Sequence, residues 1–177
     1  MDWKMILIHH TGAEEKDTAQ VKRYHVNVRG WRDIGYNFVI ERDGKVIEGR
    51  SLNIAGAHAR GFNSKAIGVA LIGNFENRLP TSQQLTALNV LLLKLVKEHN
   101  IPQGEVFGHR QVKNTLCPGK YFPMASVKKD LANGLQPKSD NNKYWRVQTG
   151  AFNNEDNAKD YAKELNKLGI ETYVIYN

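Results

Sequence analysis

Cys117 is the only cysteine in 177 residues, and it follows His109 by eight positions in the loop Gly108-His109-Arg110-Gln111-Val112-Lys113-Asn114-Thr115-Leu116-Cys117-Pro118-Gly119. A lone thiol closes no intrachain disulfide, and thiolate with imidazole is a usual ligand set for zinc. A third ligand of the right type stands near the N-terminus, where the apolar run Met5-Ile6-Leu7-Ile8 delivers His9 and His10. Two histidines and one cysteine leave a tetrahedral position for water, the arrangement that separates catalytic from structural zinc. Residue types alone also suit a small buried Cys117 among loop histidines, or a Cys117 nucleophile with His109 as its base.

The elements that must carry these side chains are legible in the apolar periodicity. Residues 5–8 have strand length, which puts His9 at a strand end. Residues 17–28 predict a helix capped by Asp17, with Val21, Tyr24 and Val28 on one face and Gly30 as its stop. Residues 36–42 and 45–48 predict a hairpin about Asp43-Gly44. The run 66–73 is almost continuously apolar, as in a central strand covered on both faces. Thr81 and Gln84 form a capping box, after which Leu85, Leu88, Leu91, Leu92, Leu95 and Val96 recur at helical spacing up to Pro102. Residues 105–107 predict a strand that brings His109 to the edge where His9 ends, and residues 125–131 a closing helix. Strands alternating with helices argue an α/β fold, a mixed central β-sheet flanked by helices.

Composition narrows the partners. The chain carries 25 basic and 18 acidic side chains, a net charge of +7. Residues 144–177 hold four basic against five acidic groups, so residues 1–143 carry +8 and any affinity for a polyanion. No basic run interleaved with aromatics and no finger or helix-turn-helix spacing occurs, so nucleic acid is not expected as a partner. No apolar run has the length of a membrane span. Residues 136–143 are polar, contain Pro137 and lack periodicity, which reads as a linker between a domain at 1–135 and a segment at 144–177.

Five strings occur in one order: Ile8-His9-His10-Thr11, Gly35-Tyr36-Asn37-Phe38, Gly56-Ala57-His58-Ala59, Ile67 to Phe75, and Gly108-His109-Arg110 with Cys117-Pro118-Gly119. Together they resemble the zinc-dependent type 2 N-acetylmuramoyl-L-alanine amidases and the related peptidoglycan recognition proteins, over about residues 5–131. The resemblance implies that family's sheet-and-helix fold, one Zn2+ ion and bacterial peptidoglycan as partner. It implies His9, His109 and Cys117 as metal ligands, with His9 rather than His10 in the ligand position. It implies catalytic roles for Tyr36 and Thr115 as hydrogen-bond donors to charge developing on the tetrahedral oxygen. Substrate contacts are expected at Asn37, His58, Arg60, Asn74 and Phe75, whereas His10, His25 and His99 are expected to be surface or structural. The bond cut would join the lactyl group of N-acetylmuramic acid to L-alanine, unless the chain only binds muropeptides. One departure stands out: some relatives place a glutamate in the central strand as general base, and Val69-Ala70-Leu71-Ile72 offers no carboxylate.

Residues 144–177 resemble half of a SPOR domain, a family that binds glycan stripped of peptides. Residues 145–152, a helix from 155 stopped by Gly169 and a strand at 171–176 would make one βαβ unit. Met1 to Lys4 lead straight into the first strand without the features of a secretory signal. The expectation is a phage endolysin or an autolysin made in the cytoplasm, reaching the wall after holin-assisted release or lysis.

Overall fold

The computed structural model describes residues 1–134 and 155–167. The chain divides into two compact units, Met1–Pro137 and Lys138–Asn177. The first is built on a five-stranded sheet whose strands, β1 (Met5–His10), β2 (Phe38–Ile40), β3 (Val46–Glu48), β4 (Ala66–Leu71) and β5 (Val106–Gly108), are arranged β3-β2-β4-β1-β5. β1 runs parallel to both β4 and β5, β2 runs parallel to β4, and only the β2–β3 hairpin is antiparallel. The sheet is therefore mixed, as the sequence implies. β4 is buried at all six positions, which is why its sequence is apolar without alternation.

β1 sits between β4 and β5, so the ends of three parallel strands meet beside His9, His10 and the turn at His109. One face of β1 presents Ile6 and Ile8 to the main core, which includes Leu88, Leu92 and Leu95 of α2 (Ser82–Glu98) and Val127 and Leu131 of α3 (Met124–Asn133). The opposite face presents Leu7 to a smaller cluster with Ala59 and Ala66. The alternation carries His9 to the Leu7 side, over the loop containing His58, while His10 points the other way.

α2 starts at the predicted capping box, with Gln84 N–H donating to the Thr81 hydroxyl and Thr81 N–H to the Gln84 side chain. Gln84 is fully buried and its amide also donates to the carbonyls of Ile40 and Ile72, closing off the ends of β2 and β4. Asp17 caps α1 (Thr18–Arg23) by accepting from Gln20 N–H at 2.8 Å, as expected. The expected face of that helix fails beyond Val21. The chain widens into a π-helical turn at Tyr24–Val28, in which Arg29 N–H reaches the Tyr24 carbonyl. The extra residue per turn swings Tyr24 and Val28 outward and His25 inward. β2 is also shorter than expected, because Tyr36 and Asn37 bond to Arg50, Gly49 and Gly68 from outside the regular ladder.

Among the described residues no helix is long and apolar enough to cross a membrane. In the second unit α4 (Glu155–Lys167) occupies the stretch predicted as helix, with the pairs Glu155–Lys159 and Asp160–Lys163 on its exposed surface. The predicted linker and both predicted strands of that unit lie outside the described residues.

Candidate metal centre and its surroundings

His9, the last residue but one of β1, is almost wholly buried, at 1 % exposure. His109 opens a single 3-10 turn directly after β5, so adjacent parallel strands deliver the two imidazoles to one place. Their ring centroids are 4.4 Å apart. Cys117 arrives on a loop tied back to that turn, Arg110 N–H donating to the Cys117 carbonyl at 2.7 Å. The loop is pressed against residues 75 and 76. Tyr121 N–H donates to the Phe75 carbonyl, Lys120 N–H donates to Glu76, and a Cβ at Gly119 would collide with the Phe75 carbonyl group. Gly119 has φ +107°, so the turn and the close approach both require glycine there.

One ligand atom from each of His9, His109 and Cys117 can lie within 4.8 Å of the other two. The Cys117 sulfur is 3.6 Å from His9 Nδ1. Tetrahedral zinc with ordinary Zn–N and Zn–S bonds sets those two atoms about 3.6 Å apart. The donor set therefore fits zinc in both chemistry and spacing. Burial pushes the Cys117 thiol up to about 12, so it is a poor nucleophile by itself and needs a cation beside it to ionise. The His10 backbone N–H donates to this sulfur at 3.4 Å, a contact that residue types could not reveal.

His10 takes no place in the triad. Its Nδ1 accepts from Phe75 N–H at 3.1 Å and its ring packs near Phe75. His25 is structural, accepting from Gly35 N–H at 3.2 Å and stacking on Trp31.

Tyr36 is half-buried, its ring centroid 5.4 Å from that of His9. Burial first, then the neighbouring Cys117 and Glu15, pushes its phenol far above the ordinary range, so at neutral pH the hydroxyl keeps its proton and is available to donate a hydrogen bond. Thr115 accepts from Cys117 N–H at 3.3 Å, which leaves its own O–H to donate.

The expected substrate contacts separate. Asn37 is 1 % exposed and both ends of its amide are used inside the fold: Oδ1 accepts from Gly68 N–H and Nδ2 donates to the Arg50 carbonyl. Phe75 is fully buried and packs near Phe122. Both side chains are thus committed to contacts inside the fold. Arg60 is exposed on the loop after His58. Asn74 is half-buried, its side chain accepting from Glu76 N–H.

His58 lies directly against the triad, its Nδ1 3.1 Å from His9 Nε2 and its Nε2 3.1 Å from the Ala66 carbonyl. Burial holds its pKa down to about 4. His9, His10 and His109 are also lowered, in each case mainly by burial. Glu14, not singled out by the sequence, braces the neighbouring loops by bonding Arg78, Arg42 and the Asn74 N–H.

Comparison with known proteins agrees with this geometry. The N-acetylmuramoyl-L-alanine amidase family matches residues 1–120, and the SPOR domain family matches residues 141–177. Peptidoglycan-recognition protein SC2 of Drosophila melanogaster is 43% identical over 122 residues, which are 64% of this chain and 66% of that protein. The chain thus spans just under two thirds of that relative's length. Among solved structures, N-acetylmuramoyl-L-alanine amidase LysC from Clostridium intestinale URNW superposes with a TM-score of 0.70 at 37% identity, covering 75% of this chain and 87% of that one. Drosophila PGRP-LB does so with a TM-score of 0.63 at 37% identity, covering 70% and 79%. On its sequence, its sheet and the extent of these matches, the chain belongs to the N-acetylmuramoyl-L-alanine amidase family.

Proposed function

We propose that this protein is a zinc-dependent peptidoglycan hydrolase that cleaves the amide between the lactyl group of N-acetylmuramic acid and L-alanine. The observation that carries the reading is the convergence of His9, His109 and Cys117 at ligand spacing, on the scaffold of an amidase family. Zinc bound there would polarise the scissile carbonyl and acidify water at its fourth position. The chain's own residues supply the rest. Tyr36 and Thr115 donate hydrogen bonds to the oxygen on which charge develops, and Tyr36 stays protonated throughout because its phenol is buried. Arg60 and Asn74, on loops at the rim, contact the stem peptide.

Residues 1–135 form the catalytic domain in this reading, residues 136–143 the linker and residues 144–177 a wall-binding segment, supported by the match to the SPOR family. The biological setting is a phage endolysin or an autolysin that meets the wall after holin-assisted release or lysis. The likeness to the endolysin amidase LysCS from Clostridium intestinale favours the endolysin setting.

Likeness to peptidoglycan-recognition proteins favours a second reading, in which the chain binds muropeptides without cutting them. Chelation separates the possibilities. Removing metal should silence wall hydrolysis and added Zn2+ should restore it. Activity that survives chelation would point to a thiol hydrolase with Cys117 as nucleophile, and wall binding without hydrolysis would leave the recognition reading.

A further inference from the structure

His58 has both ring nitrogens engaged, and the two contacts differ in kind. The Ala66 carbonyl, 3.1 Å from Nε2, can only accept, so Nε2 carries the proton. In the neutral ring Nδ1 then holds the lone pair, and the atom 3.1 Å away, His9 Nε2, must be the donor. That assignment fixes His9 as the Nε2–H tautomer and leaves the lone pair on Nδ1, the atom 3.6 Å from the Cys117 sulfur. The polarity of one strand carbonyl thus passes through two imidazoles to the metal-facing atom.

The surroundings hold His58 in this orientation. Its backbone N–H and that of Ala59 both donate to the Asn63 side chain, at 2.9 and 2.8 Å. Its ring lies between two glycines, and a Cβ at either Gly56 or Gly68 would come 2.5 Å from His58 Cδ2. Gly68 is in turn bonded on both sides to Asn37, its N–H donating to Asn37 Oδ1 and its carbonyl accepting from Asn37 N–H. The glycine in the middle of β4 is the space the imidazole occupies.

We propose that His58 is a positioning residue that acts through His9: it fixes the His9 tautomer and ring orientation so that Nδ1 is ready to bind the metal, and it does not contact substrate through its nitrogens. The inference rests on the zinc reading above. Partners of this kind are worth about 10- to 100-fold in metal affinity.

The test uses the full chain and two readouts that need no turnover. In metal-free protein with 15N-labelled histidine, NMR should find His9 protonated on Nε2 and unprotonated on Nδ1. The opposite tautomer would overturn the proposal without any variant being made. Competition with a chromophoric chelator should then show His58→Leu, which has no acceptor, binding Zn2+ about 10- to 100-fold more weakly than the parent. His58→Asn, whose amide oxygen can replace Nδ1, should recover most of that loss. Equal Zn2+ affinity in parent and His58→Leu would sink the proposal and leave the zinc amidase reading standing. Failure of the parent chain to bind Zn2+ at all would instead remove that reading and the proposal with it.

Discussion

Nδ1 of His9 and Sγ of Cys117 stand 3.6 Å apart although 108 residues separate them in the chain. β1 fixes one atom, and a loop tied to the end of β5 and pressed on the Phe75 backbone fixes the other. The site's geometry is thus set by backbone contacts.

Tyr36→Phe should lower turnover by roughly 10²- to 10³-fold, the loss expected when one donor to a developing oxyanion is removed. Zinc content should be unchanged, since the phenol is not among the ligands. Hydrolysis assays beside metal analysis check both parts, and near-normal rates would remove Tyr36 from the mechanism.

Gly119→Ala should weaken Zn2+ binding without touching a ligand. The new methyl group meets the Phe75 carbonyl and the backbone sits at φ +107°, so the Cys117 loop must shift. A loss of stability of about 1–3 kcal/mol is expected from the strain, measured by urea unfolding of the metal-free chain. Unchanged stability and affinity would show that the loop is slack.

Gln84→Leu should destabilise the fold by about 1–3 kcal/mol, because the Ile72 carbonyl loses a buried donor and the Ile40 carbonyl is left with the Ile72 N–H. The site lies elsewhere, so Zn2+ affinity of the folded variant should match the parent. A neutral effect on unfolding would mean that the Ile72 carbonyl finds another partner.

Acid should unfold the metal-free chain early. His9, His10, His25, His58 and His109 are all held below their ordinary value of 6.5, mainly by burial. Below 6.5 the unfolded chain takes up protons that the folded chain refuses, so stability is full above that pH and declines as pH falls toward the folded-state values, about 4 for His58. Thermal midpoints measured between about pH 7.5 and 5 should fall steadily, and a flat profile would contradict the burial of these rings.

Much of the fold and of the site is legible in the sequence. The Asp17 cap, the Thr81–Gln84 box and the unbroken apolar run of β4 announce themselves because each depends on local residue types. The convergence of His9, His109 and Cys117 is legible through motif order, and strand alternation turns His9 toward the other two and His10 away. What the sequence leaves unread has a common cause. The face Val21, Tyr24, Val28 assumes a constant turn, and one π-helical turn breaks it. Asn37, Phe75 and His58 stand in motif positions beside the cleft, yet their partners, Gly68, Phe122, His9 and the Ala66 carbonyl, come from distant segments. Nothing in the neighbouring sequence encodes a side chain's direction when a remote backbone group decides it.

Mass spectrometry of purified peptidoglycan after digestion by the zinc-loaded chain shows which bond is cut and whether metal is needed. The zinc amidase account predicts stem peptides with free L-alanine amino termini, no new reducing sugar ends, and neither product once a chelator is present. New reducing ends, or peptide release that ignores the chelator, would contradict it.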